Sequence, residues 1–425
     1  MRGKAMEPVS FGIVGVGGYA ASHVRSAEAL EKEGLGRVSA VVIRNPEKHR
    51  EVVAHFQQKN VAIYESYEAM LEAERGRTEI VALPVAIHQH KAMTISALQR
   101  GFNVIVEKPP AATIQDVDEM IEAERRSGRF CAVGFQSQSK NTALALKGRI
   151  CEGRLGEIKK VLAKARWKRL DSYYERNAWA GKLIIAGQYI LDGTVNNPLA
   201  HYLMNDLYFA SRERGKVANP LQVRAELYRG HNIEGEDTSC VVVDVDSGAR
   251  VYFFATLCAP VEENPVHEVV GTLGKAEWTV HGDVHIEYAN GKREIIRDDG
   301  RNERVDVFRN AARYLRGVDK ELNCPLSMTR PFVLAVNGAY ESAKRTRKIP
   351  DRFLIVERER GSVSTTIKNI VEIINQAFDR RKLYSDLGVE WAYSTEYFSL
   401  LNYRFFSMWL PDRPENRHAS EGLEV

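Results

Sequence analysis

The chain reads as α/β: a doubly wound parallel sheet first, then an α+β region with an open, mostly antiparallel sheet. Between residues 8 and 135, short apolar runs alternate with helix-compatible stretches, the pattern of a parallel sheet with crossover helices. From Leu221 onward, short apolar runs follow one another with only turns between them, which leaves no room for crossovers and implies antiparallel pairing. At 425 residues the chain is also too long for one ordinary core. The expected divisions are 1–135, 136–350 and an extension over 351–425.

Composition narrows the function classes. Hydrophobic residues make up 44% and charged residues 27%, as in ordinary globular proteins. A net charge of +4, spread along the chain, leaves no basic footprint for nucleic acid, and no apolar run is long enough to span a bilayer. Neither nucleic acid nor membrane is an expected partner. Cys131, Cys151, Cys240, Cys258 and Cys324 are scattered and never form C-x-x-C, and the N-terminus enters a strand without an apolar signal segment. Reduced thiols and a cytoplasmic location are expected.

The first apolar run, Ser10 to Val14, passes at once into Gly15-Val16-Gly17-Gly18-Tyr19-Ala20, and the alanine-rich stretch to Leu30 reads as a helix ending near Gly34. This strand, turn and helix carry G-x-G-x-x-A. Gly15 permits the tight turn, Gly17 lets the backbone approach a pyrophosphate, and Ala20 allows close helix packing. The amides at the helix start, Gly18 and Tyr19 included, then meet the phosphates. A Rossmann NAD(P)-binding half follows. Further strands are predicted at Arg37–Ile43, Val61–Tyr64, Glu79–Pro84, Asn103–Val106 and Phe130–Phe135, with Asn45 capping the turn that Pro46 begins and Thr113 capping a later helix. No Asp or Glu stands between Gly36 and Pro46 to bind ribose hydroxyls. Arg44 is the nearest charge, and an arginine there accommodates a 2′-phosphate, which favours NADP slightly over NAD; Asn45 is able to serve NAD.

The buried run Val104 to Val106 is stopped by Glu107-Lys108-Pro109. A lysine projected from the carboxyl end of a strand stands where open α/β sheets bind ligands. Proline restricts its backbone and leaves a cis bond possible. His88 and His90 flank Gln89 after the fourth strand, at the expected rim of the cofactor cleft; no carboxylate or cysteine accompanies them, and no metal site is predicted.

The glycine turn, His90 and Glu107-Lys108-Pro109 together resemble the Gfo/Idh/MocA (glucose–fructose oxidoreductase / inositol dehydrogenase / rhizopine catabolism) oxidoreductase family, over roughly residues 8 to 350. The resemblance implies a nucleotide half followed by an open sheet that carries the substrate face and often a subunit interface, hence a homo-dimer or homo-tetramer. It also implies that Lys108 stands beside nicotinamide and substrate. Where many relatives read T-P-N-x-x-H, this chain has Val85-Ala86-Ile87-His88-Gln89-His90, so Ile87 replaces a side-chain amide. Where many read D-x-G-x-H with aspartate and histidine facing the substrate, Asn197-Pro198-Leu199-Ala200-His201 keeps the histidine and loses the acid. Asparagine binds a hydroxyl but takes no proton at neutral pH. Asp192 is the substitute acid, His201 the first choice for proton transfer, and Tyr174 its reserve.

The stretch Asp171 to Ala210 is dense in groups that hydrogen-bond polyols: Tyr173, Tyr174, Arg176, Asn177, Asp192, Asn196 and Asn197, with Trp179 as an aromatic face for a sugar ring. Strands are predicted at Val223–Tyr228, Thr238–Val245, Val251–Leu257, His267–Thr272, Ala276–Val280 and Val284–Tyr288, with His281 and His285 at a solvated turn, then helices at Val307–Tyr314 and Pro331–Ala343. In the extension, Thr366–Asp379 has helical spacing, Trp391 to Trp409 is aromatic, and residues after Pro414 are expected to be disordered. The expected activity is hydride transfer between a nicotinamide cofactor and a secondary alcohol or hemiacetal carbon of a sugar or cyclitol. A redox-neutral NAD-dependent glycosidase and a non-catalytic cofactor or sugar sensor are the other two classes.

Overall fold

The computed structural model describes residues 7–407. Strands β1 (Val9–Val14), β2 (Gly36–Val42), β3 (Ala62–Tyr64), β4 (Ile80–Leu83), β5 (Asn103–Val106) and β6 (Cys131–Val133) form one parallel sheet in the order β3-β2-β1-β4-β5-β6. Every residue of β1, β4, β5 and β6 is buried, because helices cover both faces. The strand order reverses between β1 and β4, and a crevice opens there at the carboxyl ends. Thr113 caps helix Ile114–Ser127 by accepting from the Asp116 amide, and Gly128 ends it with φ +64°.

One cover of this first sheet comes from far along the chain. Helix Glu303–Leu315 packs against helix Ala20–Lys32, placing Val305, Phe308, Ala311 and Ala312 in the core that holds Phe11 and Ile13.

The second sheet has β7 (Ile158–Arg166) near its centre, an element without a sequence expectation. Val161, Ala163 and Ala165 point into the core, while Lys160, Lys164 and Arg166 alternate with them, so the charges masked the period of two. A two-stranded ribbon, β8 (Ile184–Ile185) and β9 (Gln188–Tyr189), stands apart. The sheet continues through β10 (Pro220–Arg229), β11 (Thr238–Val245), β12 (Arg250–Thr256), β13 (Val266–Gly271), β14 (Gly274–Thr279), β15 (Val284–Tyr288), β16 (Arg293–Ile296) and β17 (Arg347–Lys348). Its order is β16-β15-β14-β13-β7-β12-β11-β10-β17, antiparallel except for β7–β12 and β10–β17. Helices Ala200–Ala210 and Leu326–Ala343 cover its inner face.

The extension differs from its expected form. It opens with a hairpin, β18 (Leu354–Glu359) and β19 (Ser362–Ile367), so the helix begins at Ile370, four residues later than its spacing suggested. The hairpin claims Thr366 and Ile367 through ladder bonds to Ile355 and Leu354. Helix Ile370–Arg380 and residues up to Trp391 then cover the apolar outer face of β7 and β10–β12, with Tyr228 against Trp391 at 4.9 Å and Ile370, Ile374 and Phe378 against the same cluster. A short β20 (Phe398–Ser399) pairs with β10. The end of the aromatic stretch at Trp409 and the tail after Pro414 lie outside the described residues. Among the described residues no helix is long and apolar enough to cross a membrane.

Candidate active site

The crevice between β1 and β4 continues into a cleft of about 1730 Å³ lined by both halves of the chain. Its first wall is backbone. Gly15 holds φ +90° and Gly18 φ +54°, conformations that cost other residues free energy. A β-carbon on Gly17 would stand 3.0 Å from the half-buried His49 ring, which would have to give way. Gly15, Gly17, Gly18, Tyr19 and Ala20 all line the cleft, as do Arg44 and Asn45 at the end of β2. The Asn45 side chain accepts from the Lys48 amide and caps the turn Pro46–His49, which leaves Arg44 exposed as the free charge there. The open backbone cradle at a helix start fits a dinucleotide's pyrophosphate.

The facing wall is side chain. Lys108 is joined to Pro109 by a cis peptide bond, and its Nζ donates to the Asn197 backbone carbonyl at 2.6 Å and to Asn197 Oδ1 at 2.7 Å. Asn197 Nδ2 in turn donates to Asp192 Oδ1 at 2.6 Å, which fixes which way the amide points. Asp192 also accepts from the Gly181 amide at 2.6 Å. Burial raises the Asp192 carboxyl above the usual carboxylate range, against these two donors. The expected substitute acid thus stands behind Asn197, outside the cleft lining, and reaches Lys108 only through that amide. Burial pushes Lys108 down to about 8, with Arg176 adding to the effect and Glu107 and Asp192 opposing it.

His201 lines the cleft with its Nδ1 buried and unpartnered. Burial first, then the neighbouring Lys108, Arg304 and His281, hold it well below the usual imidazole range. It is neutral at neutral pH and a weaker base than Lys108.

Other expected site residues divide. Arg176 and Trp179 line the cleft, together with Tyr173 and Asn177. Tyr174 does not: its ring packs on His231 at 4.9 Å and its hydroxyl is buried without a partner. The short helix Asp171–Glu175 turns Tyr173 inward and Tyr174 away. Asn196 is also outside, fully buried and donating to the Ile190 carbonyl. Glu107 lines the cleft with its carboxylate held by His23 Nε2 at 2.8 Å. His90 lies beneath the floor, where its two ring nitrogens face the Pro109 and Val85 carbonyls at 2.8 and 3.0 Å. It joins the loops after β4 and β5, and His88 takes the rim position.

Several contributors have no local sequence signal. His49 stands over Gly17, His23 pins Glu107, and the turn after β14 places His281, exposed as expected and with φ +68°, at the cleft. Arg304, on the helix that returns to the first half, also faces it. A buried trio, His231, Asp237 and Cys258, lies away from the lining. Its polar atoms already satisfy one another, with His231 Nδ1 at 2.9 Å from Asp237, which also accepts from the Gly230 and His231 amides.

Known proteins share this architecture. Residues 9–135 match the model of an oxidoreductase family with an NAD-binding Rossmann fold, GFO_IDH_MocA. The D-glucoside 3-dehydrogenase of Escherichia coli (strain K12) is 31% identical over 106 residues, 25% of this chain and 30% of that protein. An inositol 2-dehydrogenase/D-chiro-inositol 3-dehydrogenase of Halalkalibacterium halodurans is 26% identical over 200 residues, 47% of this chain and 53% of that protein. The chain thus spans about a third to a half of these curated relatives. Among solved structures, a levoglucosan dehydrogenase in complex with NADH and levoglucosan superposes with a TM-score of 0.67 at 16% identity, over 79% of this chain and 97% of that one. The WlbA dehydrogenase from Bordetella pertussis, in complex with NADH and UDP-GlcNAcA, gives 0.64 at 21% identity over the same shares. At these identities the structures establish a shared fold.

Proposed function

The chain belongs, through residues 9–135, to the Gfo/Idh/MocA oxidoreductase family, and on that premise we propose that it is an NAD(P)-dependent dehydrogenase of a sugar or cyclitol. The reaction is hydride transfer at a secondary alcohol or hemiacetal carbon. The glycine turn would hold the pyrophosphate, and Arg44 the adenosine end, which favours NADP slightly; titrating both cofactors tests that preference. The nicotinamide, when bound, supplies the hydride acceptor.

The observation that carries the reading is the pair of bonds from Lys108 Nζ to Asn197. Two acceptors take two N–H groups, so the remaining tetrahedral position holds either a lone pair or a third proton. With Lys108 pushed down to about 8, both states are populated near neutral pH. We assign Lys108 the substrate hydroxyl proton, and His201, as a neutral ring, a hydrogen bond that orients the same hydroxyl. Asn197 suits this arrangement, because an aspartate there would hold Lys108 as the ammonium.

Single-turnover hydride transfer tests it. Lys108→Ala is expected to lose about 10³-fold and His201→Ala less, with cofactor affinity retained. Unchanged rates in both variants overturn the mechanism. Product without net NADH would identify redox-neutral bond cleavage instead, and cofactor binding without turnover over a broad sugar panel a sensor. The five unpaired cysteines support a reducing, cytoplasmic setting. A homo-dimer or homo-tetramer assembled through the second sheet would use the polar outer surface of β13–β16, since the extension occupies the apolar part.

A further inference from the structure

Arg176 is an exposed residue of the cleft wall that is stacked on aromatic rings yet forms no ion pair. Its guanidinium lies over the Tyr173 ring at 3.7 Å and near the Trp179 ring at 5.4 Å, and it donates to the Tyr173 carbonyl. Among the described residues no carboxylate forms an ion pair with it, although the buried Asp192 attracts it from behind Asn197. Stacking fixes the planar fork while leaving N–H groups free, the arrangement that suits bidentate recognition of an anion. It also covers the face of Tyr173, which is then closed to the apolar face of a sugar ring.

The surrounding charges point the same way. Lys108 is near enough to Arg176 to feel its charge, and Arg304 and His281 line the same cleft. The nearby acids are engaged: Glu107 by His23, and Asp192 by Asn197 and the Gly181 amide. Glu303 adjoins Arg304, and Glu68 lines the same cleft from the start of the helix after β3. A neutral polyol would leave the Arg176 fork without an acceptor of matching charge.

We propose that the substrate carries an anionic group, a carboxylate or a phosphate, received by Arg176. The proposal rests on the sugar-oxidising reading above and narrows it to sugar acids or sugar phosphates. Because Lys108 and Arg176 are electrostatically coupled, an anion bound here favours the ammonium form of Lys108.

The test uses the full chain loaded with NAD or NADP and matched sets of a neutral aldose, its uronic acid and its 6-phosphate in gluco, galacto and manno configurations. Turnover and calorimetric binding are both recorded, for the wild type, Arg176→Gln and Arg176→Lys. The wild type is expected to prefer one anionic member at least about tenfold in kcat/KM or affinity. Carboxylate against phosphate is read from which member wins. Arg176→Gln abolishes the preference, chiefly through KM, and Arg176→Lys restores part of it. The rise of oxidation rate with pH lies higher with the anionic substrate than with its neutral partner. Arg176-dependent binding of an acid without turnover sustains this proposal and removes the dehydrogenase reading. Equal use of neutral and anionic members, or equal loss of both in Arg176→Gln, sustains dehydrogenation and overturns the anion; so does the absence of binding by every anionic member.

Discussion

At the glycine turn the cleft is walled by backbone: positive φ at Gly15 and Gly18, and a Gly17 where a β-carbon would crowd the His49 ring. Across from it, the wall is made of side chains that come from distant places and hold one another: Lys108 on Asn197, Asn197 on Asp192, Arg176 on Tyr173. The first wall recognises by shape and by amides, whose dipoles do not titrate. The second works through groups whose charge depends on burial. Cofactor binding should therefore be sensitive to small steric changes and nearly indifferent to pH, while the chemical step should show the opposite pattern.

Gly17→Val is the sharpest way to break the first half of this contrast. The added side chain meets His49, and cofactor affinity measured by fluorescence titration is expected to fall about 30-fold, about 2 kcal/mol. The pH profile of any remaining turnover should stay in place. Asn197→Asp probes the second wall without changing its size. The new carboxylate stabilises the Lys108 ammonium, so the neutral base appears at higher pH and the rise in oxidation rate, set near 8, moves up by about one unit. A profile that stays fixed would remove Lys108 from proton transfer. Arg44→Ala should weaken NADP about tenfold and leave NAD almost unchanged, read as the ratio of dissociation constants. The smallest effect belongs to Ser362→Ala. Ser362 Oγ accepts from the Ser172 amide at 2.9 Å and braces the loop that carries Tyr173 and Arg176. Its loss should raise KM about twofold at constant cofactor affinity.

The same contrast governs what the sequence could disclose. Gly15, Gly17, Ala20 and Lys108 are legible because a turn, a helix start and a strand end are local events, specified by adjacent residues. The six strands of the first sheet follow for the same reason. The second wall joins Lys108 to a residue 89 positions away, and no local pattern records that meeting. Asp192 looked like a free acid because its distance along the chain says nothing of the Asn197 amide in front of it. Tyr173 and Tyr174 are adjacent, and only the packing of His231 decides which of them faces the cleft. His281 is a solvated turn residue, as its spacing suggests, but that spacing says nothing of the cleft it borders. The titrations were out of reach too, since they follow from burial that spacing does not reveal.

Helix Glu303–Leu315 gives this architecture a consequence during synthesis. The ribosome completes all six strands of the first sheet long before it makes Phe308, which meets Phe11 at 5.3 Å, or Cys324, whose carbonyl accepts from the Val133 amide of β6 at 2.9 Å. Until then part of one face and one edge of the nucleotide-binding sheet stay uncovered in the nascent chain. Domains generally fold in order of synthesis, N-terminal first. Here the cofactor-binding half must wait for helix Glu303–Leu315 and Cys324, so its cover is completed only after strands β7 to β16 of the second sheet have been made.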